Sequence, residues 1–550
     1  MRIQQLTLKD AEAHTFGNFN VLVGGNAVGK TTLLTELYWN SVRGHAGRYW
    51  VKEAKFEASN LKADLELLQS SLHKHYEGTS HYFYSPAARD ISGNPDRSGD
   101  LRFGETEIKS LLTLPAEQVF GTWKHRAPFV AFANADSRLG LADSVGKMSL
   151  RESPGDPINV LFRYKDQLEK IHTKILERFG FHLVILDHVG TSLELGIATE
   201  KAPEFDHSAS NLQAEFEKIE EWKRTRFTPL SQAGHGIRSM VRLLAMLFDP
   251  VSKVLMIDEP EMHLYPKQRR WLGQQLVELA KDVDVQVFLV THDPVILQGI
   301  LDSASTTKIF RVDRTAGGAS TVKTCDLQMN QGISTAGNQE QYLQSMFYQR
   351  CIAVEGPSDR SFYQAFEREF PGIEDKDLGF IACSGKGSTK SFAFLASKVG
   401  LTCAYIYDFD AILFNPDVVR DVFAVCGGVG DPLQDLESAM READPATAST
   451  KHDERKKAIE KVTGYHHKKG VTSEWARLNR ALFDKIQVTL GAHRIFLVPN
   501  GELESWAPDL EGKARFAELA PEFIRNDAQL LSGIKQFLSR VFLSVGALSG

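Results

Sequence analysis

The residues Gly24, Gly25, Asn26, Ala27, Val28, Gly29, Lys30 and Thr31 have the types and spacing of a loop built to hold phosphate. Gly24 and Gly29 let the backbone wrap so that consecutive N–H groups point inward. Lys30 reaches the terminal phosphates, and Thr31 supplies a hydroxyl to Mg²⁺ at the start of a helix whose dipole favours an anion. Asn26 and Thr32 are counted with the same nucleotide-binding set. The apolar run Phe19 to Val23 precedes the loop and a helical stretch, Thr32 to Trp39, follows it, which is the strand-loop-helix setting this chemistry needs. The expected ligand is ATP with Mg²⁺.

Further segments extend this site. Val254 to Ile257 is an apolar strand ending in Asp258 and Glu259. Beside the phosphates, Asp258 holds the Mg²⁺ water shell and Glu259 polarises the attacking water. One strand later, Val285 to Val290 runs into Thr291, His292 and Asp293, which puts His292 in reach of the γ-phosphate. Upstream, Ser231, Gly234 and Gly236 open a helix and offer it backbone N–H groups for a phosphate; an ordinary helix start without a ligand is the other reading.

A second acidic constellation occupies the C-terminal third. Glu355 follows the apolar run Cys351 to Val354, with Asp359 in the next helical turn. Asp408 and Asp410 follow Tyr405 to Tyr407, and Glu502 and Glu504 come after a strand ending at Val498. Alternation sends Asp408 and Asp410 to one side, where both can hold a divalent metal. An Asp-x-Asp triplet alone says little, for Asp282 and Asp284 form another, before a strand instead of after one. Acidic clusters at the carboxyl ends of several apolar strands, however, lie where open α/β sheets place their sites; solvated turn carboxylates are the competing reading. From Lys451 to Lys469, Arg455, Lys456, Lys457, Lys461, His466, His467, Lys468 and Lys469 offer contacts to DNA phosphates, or else form a solvated helix face. Lys386 to Lys390 is a basic segment suited to a phosphate at a helix start.

These residues need elements to position them. From Met1 to about Arg314, apolar strands alternate with helical stretches: Ile3 to Leu8, Phe19 to Val23, Phe129 to Ala133, Val254 to Ile257, Val285 to Val290 and Lys308 to Val312. The pattern predicts an α/β domain over 1–313 with a largely parallel sheet. Val51 to Gly78, with Leu61, Leu65, Leu68 and Leu72, reads as a helical insertion over about 50–80. Thr315 to Asn338 is rich in Gly, Ser and Thr and reads as a linker or an edge hairpin, within a linker segment of 314–348. A second α/β domain follows over 349–510: a strand from Cys351, a helix Ser358 to Phe370, a helix Thr389 to Val399, a helical excursion over 411–490 and a strand Arg494 to Val498. Residues 511–550 read as C-terminal helices.

A chain of 550 residues implies at least two domains. Its net charge of −6 requires any nucleic-acid surface to be a local basic patch. The five cysteines are odd in number and never spaced C-x-x-C, against both a disulfide framework and a zinc site. No apolar run approaches the roughly 18 residues of a membrane span, and Met1 to Lys9 alternates like a first strand and unlike a signal peptide. A cytoplasmic protein with no membrane partner is expected.

The four N-terminal segments, in this order, resemble the ABC-type ATPases of the SMC-related branch over 1–313, without the usual Leu-Ser-Gly-Gly-Gln signature and without a heptad run for a coiled-coil arm. The resemblance implies a homodimer or higher homo-oligomer, in which Ser231 and Gly234 to Ser239 of one copy cap the nucleotide of another. The acidic clusters resemble a TOPRIM domain. An ABC-type P-loop ATPase followed by a TOPRIM α/β domain with helical additions is similar to the OLD (overcoming lysogenization defect) family, which includes the Gabija-type nuclease and the retron-associated OLD proteins. What this implies is carried residue by residue. Glu355 matches the general acid/base or metal ligand, Asp359 a metal-supporting acid, Asp408 and Asp410 the metal-binding pair, and Glu502 and Glu504 ligands of a second metal, with Mn²⁺ or Ca²⁺ as substitutes for Mg²⁺. A late lysine neutralises charge in the family; Lys513 is the candidate and Lys535 the second choice. The implied function is an ATP-binding and ATP-hydrolysing, divalent-metal-dependent DNA endonuclease in antiphage defence, partnered by a helicase-like protein or by a reverse transcriptase with its RNA/DNA. Topoisomerase chemistry would need a further large domain with an attacking tyrosine, and primases usually carry a zinc module. A nucleotide-switched DNA-binding or scaffolding ATPase with a regulatory TOPRIM domain is the remaining alternative.

Overall fold

The computed structural model describes residues 1–10, 12–57, 63–64, 73–77, 80–85, 101–104, 110–111, 114, 116–122, 126–134, 144–147, 157–187, 191–206, 208, 210–249, 252–303, 307–314, 320–325, 339–373, 377–499, 501–510 and 515–548. Two compact units emerge, Met1–Leu22 with Gly29–Ile309, and Val23–Val28 with Phe310–Gly550.

In the first unit, parallel strands lie in the order Phe19–Val23, Gln286–Val290, Val254–Asp258, Val130–Ala133. All their residues are buried, as unbroken apolar runs in a sheet covered on both faces must be. The register sets Asp258 beside Val290 and Val290 beside Leu22, so the three strand ends that lead into chemistry come out level. The phosphate-binding loop then passes directly into the helix Lys30–Arg43.

Of the helix expected between Val51 and Gly78, residues 63–64 are helical, while Val51–Glu57 and His73–Glu77 are strands. Val51–Glu57 pairs antiparallel with Arg2–Leu8, burying Val51 and Ala54, and this distant pairing overrides a locally ambiguous mixture of charged and apolar residues. Leu61, Leu65, Leu68 and Leu72 lie outside the described residues. Antiparallel pairs such as His182–Leu186 with Ser192–Ala198 also join the unit without a counterpart in the sequence reading.

The second unit is built on parallel strands in the order Leu378–Ala382, Arg350–Val354, Thr402–Tyr407, Ile495–Leu497. The helix expected over Ser358 to Phe370 runs only Pro357–Gln364, with a 3-10 turn at Glu367–Glu369. Within 314–348, Ser320–Cys325 is an edge strand beside Lys308–Arg314, as the edge-hairpin reading expects, and Gln339–Ser345 is a helix that buries Tyr342 and Leu343 completely. The C-terminal helices Phe516–Arg525 and Ala528–Ser544 complete the core of this unit: Phe516, Ile534, Phe537 and Phe542 share one buried cluster with Ile352, Val354, Phe362 and Phe380. Phe542 meets Phe370 edge-on at 4.9 Å. Among the described residues, no helix is long and apolar enough to cross a membrane.

Candidate active site

Gly24 and Gly29 hold φ of 143° and 99°, and a Cβ on Gly29 would lie 2.9 Å from the Trp50 ring, so conformation and space both demand glycine there. Lys30 is buried at 3% exposure, whereas Asn26 and Thr32 face solvent. The Thr31 hydroxyl donates to Asp258 Oδ1 at 3.1 Å, joining the helix start to the acidic strand end. His292 Nε2 lies 3.5 Å from Glu259 Oε1. Burial, and then the charge of Lys30, push the His292 imidazole down to about 4, so it is neutral at physiological pH. Ser231 lies in the 3-10 turn Leu230–Gln232, and Gly234 precedes the helix His235–Leu247, whose start no side chain caps.

Sequence reasoning missed Glu261. It is buried at 7% exposure, and its Oε1 accepts from the Thr291 hydroxyl at 2.9 Å and from the His292 N–H at 2.8 Å. Burial raises it to about 7. A hidden carboxyl thus fixes the backbone that carries His292. The signal available was an acid two residues past Glu259 in a run that otherwise reads as strand and turn.

In the second unit, Glu355 follows Arg350–Val354 directly and Asp408 follows the adjacent strand Thr402–Tyr407 directly. The Asp408 N–H donates to Glu355 Oε1 at 3.0 Å. Asp410 joins them by a different route from the alternation expected: the chain turns at buried Phe409, and Asp410 precedes the short helix Ala411–Phe414. Glu355, Asp408 and Asp410 each offer an oxygen within 4.8 Å of the others. Beside Asp410 and Glu355 lies Lys386, whose Nζ donates to Asp410 at 2.7 Å and lies 3.5 Å from Glu355 Oε2.

The charges here are unbalanced. Burial, opposed by Lys386 and aided by Asp410, pushes Glu355 up to about 7. Burial and then the charges of Glu355, Asp359 and Asp410 hold Asp408 well above the usual carboxylate range. Asp359 rises to about 6, chiefly through burial, with Glu504 adding to it. Burial works against the charge on Lys386, but Glu355 and Asp410 more than offset it and raise its pKa. Hard oxygen ligands carrying surplus negative charge fit a divalent cation.

Glu502 and Glu504 border this trio without joining it. Glu502 accepts from the Tyr465 hydroxyl at 3.2 Å and donates its N–H to the His467 carbonyl at 2.8 Å. Gly501 makes that approach feasible, because it holds φ of 136° and a Cβ there would sit 2.3 Å from the His467 carbonyl oxygen. Tyr465 had no signal in the sequence, since its turn lies far from the strand tips. Lys513 lies outside the described residues. Lys535 pairs with Glu369 at 3.1 Å, so the cation found at the acids is Lys386 and not this late lysine. In the basic run, Lys468 donates to the carbonyls of Pro508 and Leu510 at 3.1 and 3.2 Å, and Lys461 pairs with Asp444 at 3.3 Å, while Lys457 and Lys469 are exposed.

Comparison with known proteins agrees with this division. Residues 123–298 match the family "AAA domain, putative AbiEii toxin, Type IV TA system", and residues 346–410 match "Overcoming lysogenization defect protein-like, TOPRIM domain". The chain is similar to an uncharacterised protein of Methanocaldococcus jannaschii, 33% identical over 66 residues, 12% of this chain and 8% of that protein. It is also similar to the oligopeptide transport ATP-binding protein OppD of Escherichia coli, 24% identical over 220 residues, 40% of this chain and 62% of that protein. The matches thus span less than two thirds of either relative. Similar solved structures include the SMC head bound to the C-winged helix domain of ScpA, at 12% identity and a TM-score of 0.33, covering 61% of this chain and all of that one. The SMC head domain from Thermotoga maritima, at 14% identity and a TM-score of 0.30, covers 60% of this chain and 100% of its own. The chain thus carries an AAA-type ATPase match over 123–298 followed by an OLD-like TOPRIM match over 346–410. That is the architecture of the OLD family nucleases.

Proposed function

We propose that this protein is an ATP-binding and ATP-hydrolysing, divalent-metal-dependent DNA endonuclease that acts in defence against phage. The observation that carries the reading is the set Glu355, Asp408 and Asp410, with oxygens within 4.8 Å of one another. Mg²⁺, or Mn²⁺ or Ca²⁺ in its place, supplies there an activated water and neutralises charge on a phosphodiester. Glu355, at about 7, exchanges a proton near neutral pH and serves as general acid/base. Asp359, Glu502 and Glu504 are the candidates for holding a second ion. The domains that go with this reading are a TOPRIM domain over 349–510 and an ATPase domain over 1–313.

In the ATPase, Lys30 and the loop from Gly24 through Asn26 to Thr32 grip the triphosphate, Thr31 and Asp258 hold its Mg²⁺, Glu259 polarises the attacking water, and neutral His292 hydrogen-bonds toward the γ-phosphate. The uncapped helix start behind Ser231 and Gly234 suits a phosphate presented by a second copy, which makes a homodimer the proposed working unit. The partners we propose are DNA and a helicase-like protein or a reverse transcriptase with its nucleic acid, all in the cytoplasm.

The test is to incubate supercoiled DNA with the purified protein and Mg²⁺ or Mn²⁺, with and without ATP. Asp408→Ala is expected to abolish nicking and to keep ATP binding, since it removes an acid from the TOPRIM trio alone. Cleavage at the parental rate by this variant would overturn the nuclease reading. ATP turnover without cleavage under any condition would favour the nucleotide-switched DNA-binding ATPase.

A further inference from the structure

Lys386 opens the helix Lys386–Lys398, and its ammonium lies 2.7 Å from both carboxylate oxygens of Asp410 and 3.5 Å from Glu355 Oε2. Those two acids, with Asp408, are the set whose oxygens converge. An ammonium has three donors and one charge, and Lys386 directs them at oxygens a divalent ion would also take. All three side chains are sheltered, at 18% exposure for Lys386, 14% for Glu355 and 15% for Asp410. In such a place two cations repel strongly, because little water screens them. They compete for the same carboxylate oxygens.

We propose that Lys386 is a displaceable internal counter-ion, which holds Asp410 and Glu355 until a divalent ion takes their oxygens and then turns its ammonium to the phosphate that the ion binds. The inference rests on the metal-dependent nuclease reading and assigns a residue within it. The helix start leaves room for the second position. No side chain caps it, and a Cβ on either Gly385 or Gly387 would meet nothing within 4 Å. A phosphate oxygen there meets first-turn N–H groups and the lysine together. The lysine's flexible four-carbon stem and compact charge suit an ammonium that changes partners, where a planar guanidinium would hold both acids in a fixed fork. No bond is made or broken by Lys386; it supplies positive charge where the cleaved phosphodiester gains negative charge.

The full-length protein, free of nucleotide so that the phosphate-binding loop does not take up metal, is titrated with Mn²⁺ at pH 8 by calorimetry or electron paramagnetic resonance, and cleavage of supercoiled DNA is then measured at saturating Mn²⁺. Lys386→Met should bind Mn²⁺ more tightly by about tenfold or more, because the competing charge is gone, and should cleave about tenfold or more slowly, because the phosphate loses its partner. Lys386→Gln carries the same expectation if the methionine variant fails to fold. Lys398→Met, at the far end of the helix over the Phe394 ring, should bind Mn²⁺ as the parent does. Unchanged or weaker Mn²⁺ binding by Lys386→Met overturns the competition, and tighter binding with parental cleavage overturns the phosphate role. Asp408→Ala separates the two layers of inference: if it binds Mn²⁺ like the parent, the metal centre itself is wrong.

Discussion

Glu355 and Glu261 are buried carboxyls held near neutrality by burial, and their consequences differ. The folded pKa of Glu355, about 7, exceeds its ordinary 4.5. The folded chain therefore keeps a proton that the unfolded chain has released, and this group's contribution to stability falls as pH rises from about 4.5 through 7. Glu355→Gln still accepts from the Asp408 N–H and has no proton to lose. In EDTA, the variant should be more stable than the parent by up to about 3 kcal/mol at pH 8, shrinking below about 1 kcal/mol at pH 5. Chemical denaturation at the two pH values checks this, and a gain independent of pH would refute it. Glu261 instead serves position. Glu261→Ala strands the Thr291 hydroxyl and the His292 N–H, whereas Glu261→Gln keeps an acceptor oxygen for both. ATP hydrolysis should drop about tenfold or more in the alanine variant, with nucleotide still bound, and stay near parental in the glutamine variant, since a small misplacement of a catalytic group is costly. Equal turnover in parent and Glu261→Ala would remove the positioning role.

Among the elements, the basic turn and helix after Lys451 now divide into residues with internal duties and residues that face solvent. Lys468 is committed to two carbonyls, so a test of DNA contact belongs to Lys456, Lys457 and Lys469. Changing these three to Ala should weaken duplex binding and flatten its salt dependence by up to about 0.9 of slope per lost contact. A parental salt slope would leave the run as a solvated face. The same contrast explains what could be read in advance. The parallel strands were legible because burial on both faces makes them unbroken apolar runs, and the strand-tip acids Glu355 and Asp408 followed from them. Val51–Glu57 was not, because its partner is Arg2–Leu8 and nothing local announces the pairing. Lys386 was visible as a cation at a helix start, but its choice of Asp410 over a phosphate depends on the turn at Phe409, which no periodicity encodes. Glu261 and Tyr465 were illegible for the same reason, each defined by a partner on another element.

For the whole molecule, nucleotide state is expected to set assembly. The helix behind Gly234 begins without a side-chain cap, a start whose dipole favours an anion. In the head-to-head pair proposed above, the γ-phosphate on one copy would satisfy that helix start in the other, so ATP binding would favour the dimer and hydrolysis would release it. Glu259→Gln keeps the Thr31–Asp258 contact proposed to hold Mg²⁺ and removes the carboxylate proposed to polarise water. With ATP it should run as a stable dimer by light scattering, hydrolyse ATP at least about a hundredfold more slowly, and retain a thermal shift equivalent to about 2.7 kcal/mol at a hundred times the Kd. Lys30→Ala should lose both the shift and the ATP-dependent dimer, since the buried ammonium proposed to meet the phosphates is gone. Measured side by side, the two variants separate binding from turnover. A Glu259→Gln protein that binds ATP and stays monomeric would show that the helix start answers to some other anion, and would detach nucleotide state from assembly while leaving the acid site untouched.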